Sequence, residues 1–264
     1  MSGATKPTGF VASQSTARTL LEFGAILVGL IAVIGVARLA IGAVAERAAL
    51  ALPTSLDAKV GEAASRAVRT AHPSDAATLE QTARVRRVFD ELVSRLDAAE
   101  RAKLGSPEVT VLVDPTPNAF ALPGGMVFVQ SGLLERVGEG AAGDEQLRGV
   151  LAHELGHAVE RHALRLLARR VAFGVVIALL MGNGDQLGDA LLAGASQLEG
   201  LRNSREMETE ADDFGVALLG RSGLDAKGLA AFLEGLETQP VPELLSTHPD
   251  PKGRAARIRE KSGR

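Results

Sequence analysis

Charged residues are absent from Phe23 to Ala37, and after the single Arg38 the apolar run resumes from Leu39 to Ala45. At about 1.5 Å per helical residue, a stretch from Leu20 to Ala45 can cross a hydrocarbon layer of roughly 30 Å. The pattern therefore predicts one spanning helix, with Glu22 and Arg38 near its ends, where long side chains reach the headgroups. A cleaved signal peptide is the rival reading, with Lys6 and Arg18 as its positive region and Ala43-Val44-Ala45 as a small-residue cleavage site. The polar lead before Leu20 and the charge at Arg38 favour the anchor. Beyond Pro53 the apolar positions recur at helical spacing among charges, from Leu56 to Arg69 and from Asp75 to Leu104. In the second stretch Val85, Val88, Phe89, Leu92 and Leu96 mark one buried stripe.

Val109 to Val113 and Met126 to Gln130 read as short strands, separated by a loop that Pro115, Pro117, Pro123, Gly124 and Gly125 punctuate. Helical patterns dominate afterwards: Ser131 to Val137, a longer helix through Leu147, Leu151 and Leu155 with a start at Gly143-Asp144, and Gly223 to Leu236. Val171 to Gly182 is apolar for only about twelve residues, too short to cross a bilayer, and reads as a buried or interfacial helix. The expected organisation is a tail over 1–19, an anchor or signal segment over 20–45, a helical linker over 46–71 and one catalytic domain over 72–264. That domain is α+β, mostly helical with a small sheet.

Composition narrows the chemistry. A 46% apolar content excludes a disordered chain, and 29 Lys and Arg against 32 Asp and Glu, with no basic cluster, argues against nucleic acid as a partner. Cys, Trp and Tyr are all absent, which removes disulfides, thiolate ligands and thiol nucleophiles. What remains is five His and the carboxylates.

Two of those His stand four apart in His153-Glu154-Leu155-Gly156-His157. On a helix they differ by about 40° in azimuth, so both imidazoles can grip one metal ion while Glu154 stands beside them as a base for water. A zinc hydrolase needs a third protein ligand and an open position. His162 is five residues beyond His157, about 140° away on a continuous helix, and is expected on the helix flank; a metzincin-type His would fall at Ala163. Downstream, Glu208 and Asp212 share a helical face, so one carboxylate can bind the metal while the other orients a ligand His. Glu206 and Glu210 are then expected as exposed charges. A solvated acidic helix is the plain alternative.

Ser204-Arg205-Glu206-Met207-Glu208-Thr209-Glu210-Ala211-Asp212 resembles the SRxxExxAD signature of peptidase family M48, the zinc metallopeptidases that group HtpX-like and type I CAAX prenyl endopeptidase-like enzymes. The resemblance implies a zincin-type (gluzincin) fold, one Zn2+ per chain, Glu208 as third ligand and Asp212 holding a ligand rather than the metal. Asn118 to Gly125 is similar to the family's NAFxxPGG element, and Thr247-His248-Pro249 with Arg254 to its C-terminal HP element. With one span and no many-helix membrane domain, the chain is closest in kind to small, singly anchored bacterial members.

The expected reaction is hydrolysis of internal peptide bonds, with Glu154 as base. Extended or unfolded substrate would pair with the edge of Met126, Val127, Phe128 and Val129, and Arg254 is grouped with these binding residues. His248 is expected either to stabilise the oxyanion or to occlude the metal at rest. The membrane is a partner through the N-terminal helix, with the catalytic domain on the extracytoplasmic, periplasmic side, and the implied role is membrane or envelope quality control. A zinc-stabilised adaptor that holds proteins without cutting them is the alternative, and a metal-free tethered scaffold a third. Gly138 to Gly143 matches GxGxxG, but no strand leads into it, and a loop is expected.

Overall fold

The computed structural model describes residues 12–72, 78–180, 194, 195, 198 and 202–262. The tail through residue 11, Asp75 and the end of the apolar stretch at Gly182 lie outside them. Helix α1 (Ala12–Leu50) carries the N-terminal apolar run without a break, and among the described residues it is the one helix long and apolar enough to cross a membrane. Its apolar side chains from Leu20 to Val36 are exposed.

Helices α2 (Thr54–Ala71), α3 (Leu79–Ser94) and α4 (Ala98–Leu104) follow. The expected helix from Asp75 to Leu104 is two helices, because Asp97 caps α4 in a reciprocal hydrogen-bond pair with Glu100, just as Thr78 and Gln81 open α3. The segment expected as a helical linker is helical and packs on the rest of the chain. α2 buries Val60, Ala64 and Val68, and its buried Asp57 accepts two hydrogen bonds from the Arg161 guanidinium.

Strands β1 (Glu108–Leu112), β2 (Ala119–Leu122) and β3 (Met126–Gln130) form a three-stranded sheet in the order β1-β3-β2. β1 runs parallel to β3 and β2 antiparallel to it, with Phe120 opposite Phe128. β2 lies where a loop was expected. Pro123-Gly124-Gly125 turns β2 into β3, and Gly124 and Gly125 take φ of +80° and +79°, which only glycine adopts without strain. β3 alternates as a strand covered on both faces does: Val127 and Val129 point into one core cluster and Phe128 into another.

Helix α5 (Ser131–Val137) leads to α6 (Gly140–Val159), then α7 (His162–Leu180), α8 (Arg205–Arg221), α9 (Lys227–Thr238), α10 (Pro242–Thr247) and α11 (Pro251–Ser262). α6 begins at Gly140 rather than at Gly143-Asp144; Asp144 instead receives Arg84 and Arg87 from α3. Helices α3, α8 and α9 and strand β2 surround α6, whose Leu147, Leu151 and Leu155 are fully buried in the larger cluster. The smaller cluster joins α2, the other face of the sheet, Leu164 and Leu167 of α7, and Ala49 of α1. α7 returns along α1: Arg165 pairs with Glu46, and Arg169 lies over Gly42.

Candidate active site

His153, Glu154 and His157 fall in the last two turns of α6, where the helix is wrapped on all sides and all three are buried. Ser204 starts α8 by accepting a hydrogen bond from the Met207 amide, which sets the phase of the helix so that Glu208 and Asp212 face α6. Both carboxylates are wholly buried. His248 follows α10, which ends there because Pro249 and Pro251 cannot continue it; its backbone amide donates to the Leu244 carbonyl.

The polar atoms converge. His153 Nε2 and His157 Nε2 are 3.0 Å apart, and they lie 3.5 and 3.3 Å from the two Glu208 oxygens. His248 Nδ1 lies 3.4 Å from His153 Nε2 and 3.2 Å from Glu208. One donor atom from each of these four buried residues lies within 4.8 Å of every other. Tetrahedral zinc, with bonds near 2.0–2.1 Å, separates its donors by roughly 3.3 Å. The separations are those of the edges of such a tetrahedron, and two imidazole Nε2 atoms facing each other at 3.0 Å beside a carboxylate suit a cation between them. The residues fit a metal ion.

Supports lie behind the donors. His153 Nδ1 is 3.0 Å from Asp212 Oδ1, and Arg254 donates to both Asp212 oxygens at 2.7 and 2.8 Å while its Nη1 contacts Glu208. Arg257 also donates to Asp212, at 2.8 Å. Although burial alone would raise it, the hydrogen bonds from Arg254 and His153 hold the Asp212 carboxyl well below the usual carboxylate range. Burial raises Glu208 too, yet the surrounding His248 and His157 charges bring it far down, so it is an anion poised for a cation. Burial pushes the Glu154 carboxyl up. Burial and the Arg254 charge pull His153 down, but hydrogen bonds to Asp212 and Glu208 outweigh them and take it to about 9.

A pocket of about 50 Å³ opens beside these groups, lined by Phe120 and Ala121 of β2, Glu154, His157, His162 and His248. That volume is enough for a few waters. His248 is part of its wall, with Nε2 3.9 Å from Glu154 Oε1.

Three expectations are corrected. Met126 to Val129 cannot take substrate as a sheet edge, because β3 is central and paired on both sides; β1 and β2 are the edge strands, and β2 is the one that lines the pocket. Arg254 is no substrate-binding residue, since its guanidinium is buried and spent on Asp212 and Glu208. His162 is not on the helix flank. α6 ends at Val159, Arg161 takes a left-handed φ of 57°, and the chain re-enters α7 at His162, which swings that ring back to His157 and makes straight-helix azimuths inapplicable. Its Nδ1 is 2.8 Å from His157 Nδ1 and its Nε2 2.8 Å from Glu210, which is therefore engaged rather than free in solvent. Burial takes the His162 pKa down to about 4, so the ring is neutral. Asn118 also lines the pocket, with its Oδ1 buried and without a hydrogen-bond partner among the described residues; the NAF motif was its only signal.

Comparison with known proteins agrees with this geometry. A model of Peptidase family M48 matches residues 79–262. The mitochondrial metalloendopeptidase OMA1 of Schizosaccharomyces pombe is 39% identical over 161 residues, covering 58% of this chain and 46% of the relative. The beta-barrel assembly-enhancing protease of Escherichia coli is 34% identical over 160 residues, 55% of this chain and 32% of the relative. Metalloprotease YcaL of Escherichia coli is 34% identical, over 54% of this chain and 58% of the relative. The matched segments thus span less than two thirds of each of these relatives.

Proposed function

The chain belongs to peptidase family M48, and on that premise we propose that it is a zinc metalloendopeptidase that cuts internal bonds of extended or unfolded proteins at a membrane surface. The observation that carries this reading is the convergence of His153, His157 and Glu208 on one point, with the Glu154 carboxyl, raised by burial, beside it. His153, His157 and Glu208 would hold the zinc, which when bound polarises a scissile carbonyl and acidifies water. Glu154 takes the proton from the attacking water and delivers it to the departing amine; a raised carboxyl suits both halves of that exchange. Asp212, held by Arg254 and Arg257, keeps His153 in the tautomer that offers Nε2. Substrate would lie along the outer edge of β2, where backbone pairing demands little of its sequence.

His248 completes a four-donor set, which is the arrangement of a resting site: catalysis needs that position vacated. Four protein donors also favour the second reading, an adaptor with a structural zinc, but such a protein has no use for a buried carboxylic acid beside the donors. α1 would hold the domain at the membrane, on the extracytoplasmic side. The name of the Escherichia coli relative ties that protein to β-barrel assembly, and we infer quality control of membrane or envelope proteins for this chain. Product analysis by mass spectrometry tests the activity: incubation of the full chain with an unfolded protein yields internal fragments, chelation stops them and zinc restores them. Absence of fragments, or fragments indifferent to chelation, contradicts it.

A further inference from the structure

His153 and His157 both turn Nε2 to the metal position, which leaves two Nδ1 atoms to be held from outside. Asp212 holds that of His153. Among the described residues no carboxylate is bonded to that of His157; the neighbour is His162, whose Nδ1 lies 2.8 Å away and whose Nε2 lies 2.8 Å from Glu210 Oε2. A neutral imidazole carries one proton and one lone pair. If His162 donated from Nδ1, its Nε2 lone pair would face the Glu210 carboxylate, and His157 would carry its own proton on Nε2, where no metal could then bind. The other arrangement satisfies every group. His157 Nδ1–H donates to His162 Nδ1, His162 Nε2–H donates to Glu210, and the His157 Nε2 lone pair is left for the metal.

We propose that His162 is the positioning residue for His157, with Glu210 fixing its tautomer, so that an imidazole–carboxylate pair does for one ligand what Asp212 does for the other. The inference rests on the zinc reading above. His162 is 1% exposed, and both of its ring nitrogens already face protein partners. Glu210 is fixed in turn: Arg165 Nη1 donates to it at 2.7 Å, and Arg165 Nη2 donates to Glu46 of α1 at 3.0 Å. The turn that delivers His162 is bound to the same helix, since Arg161 Nη1 donates to the Leu50 carbonyl. The support of His157 therefore ends on the apolar helix α1, whereas that of His153 ends on α11 through Arg254.

The test uses the full chain in detergent, with zinc affinity measured by chelator competition, the visible spectrum of the cobalt-substituted protein, and melting of the metal-free chain. His162→Phe fills the space without a hydrogen bond, His162→Gln keeps a side-chain carbonyl to accept from His157, and Glu210→Ala leaves the ring present but unfixed. The expected result is an affinity loss of about 10- to 100-fold in His162→Phe and Glu210→Ala, a shifted cobalt spectrum, unchanged melting of the metal-free chain and recovery of most of the affinity in His162→Gln. Wild-type affinity and spectrum in both weakened variants would overturn the assignment, as would losses that track a fall in melting temperature across all three. Failure of the wild-type chain to bind zinc would overturn the proposed function together with the assignment; zinc-binding wild type with indifferent variants overturns the assignment alone.

Discussion

Gly156 of α6 lies directly against Ala211 of α8: a Cβ placed on Gly156 would stand 2.7 Å from the Ala211 carbonyl oxygen and 2.9 Å from its Cα. Two helices can approach this closely only where one of them has no side chain, and the contact lies between His153 and His157 on one helix and between Glu208 and Asp212 on the other. The helix separation that brings the carboxylate to the imidazoles is set here. Gly156→Ala must push α8 away, because backbone atoms cannot move aside as a flexible side chain would. We expect a loss of about 1–3 kcal/mol of stability and weakened zinc binding, read by thermal melting and chelator competition. Unchanged zinc affinity would show that the separation is set elsewhere.

His248 supplies the fourth donor and narrows the pocket beside Glu154. Replacing it with alanine opens that position. His248→Ala is expected to hydrolyse an unfolded substrate faster than wild type while holding zinc less tightly. A fall in rate at full zinc occupancy would instead assign His248 to the reaction itself.

The pairing of His153 with His157, and of Glu208 with Asp212, was legible in the sequence because each pair is local and owes its shared face to helical periodicity; that α8 would bring Glu208 to the two imidazoles was not, and rested on the SRxxExxAD resemblance. The Gly124-Gly125 turn and the strand after it were legible for the same reason. The order of the sheet was not, since nothing in Val109 to Val113 or Met126 to Gln130 says that β1 will pair parallel with β3 and leave β2 outside. His162 was misplaced because rotation arithmetic assumes a continuous helix, and the left-handed Arg161 breaks it. Arg254 meets Asp212 across 42 residues of sequence, a pairing that only packing of α11 on α8 creates.

The Gln130 amide donates to the Asn118 carbonyl, so by strand alternation Phe120 and Leu122 also face β3 while the backbone groups of Ala121 point outward to the cleft. Ala121→Pro removes an outward donor without costing the sheet a bond. It is expected to raise KM for peptide substrates about tenfold, the worth of one hydrogen bond, with zinc content unchanged. Equal KM would move the substrate off β2.

Asp144 accepts hydrogen bonds from Arg87 and Arg84, which tie α3 to α6. The Arg87 hydrogen bond outweighs the effect of burial and holds the carboxyl below its ordinary value. A depressed folded pKa means that the folded state binds this proton less readily than the unfolded chain does. Its stabilisation is thus fully present above the unfolded value, about 3.9, and disappears as pH falls through the folded one. The stability gap between wild type and Asp144→Asn, measured by denaturant unfolding, should be constant near neutrality and shrink below about pH 4. A gap that is unchanged at pH 3 would contradict this.

Glu154→Gln keeps the size and the burial of the side chain and removes its ability to take a proton. Both proteins should carry one zinc, and at matched occupancy the variant should cleave an unfolded substrate slower by about 100-fold or more, the contribution of a positioned general base. Equal rates for the two zinc-loaded proteins would mean that the buried acid beside the donors plays no part in hydrolysis, and the enzymatic account would be wrong.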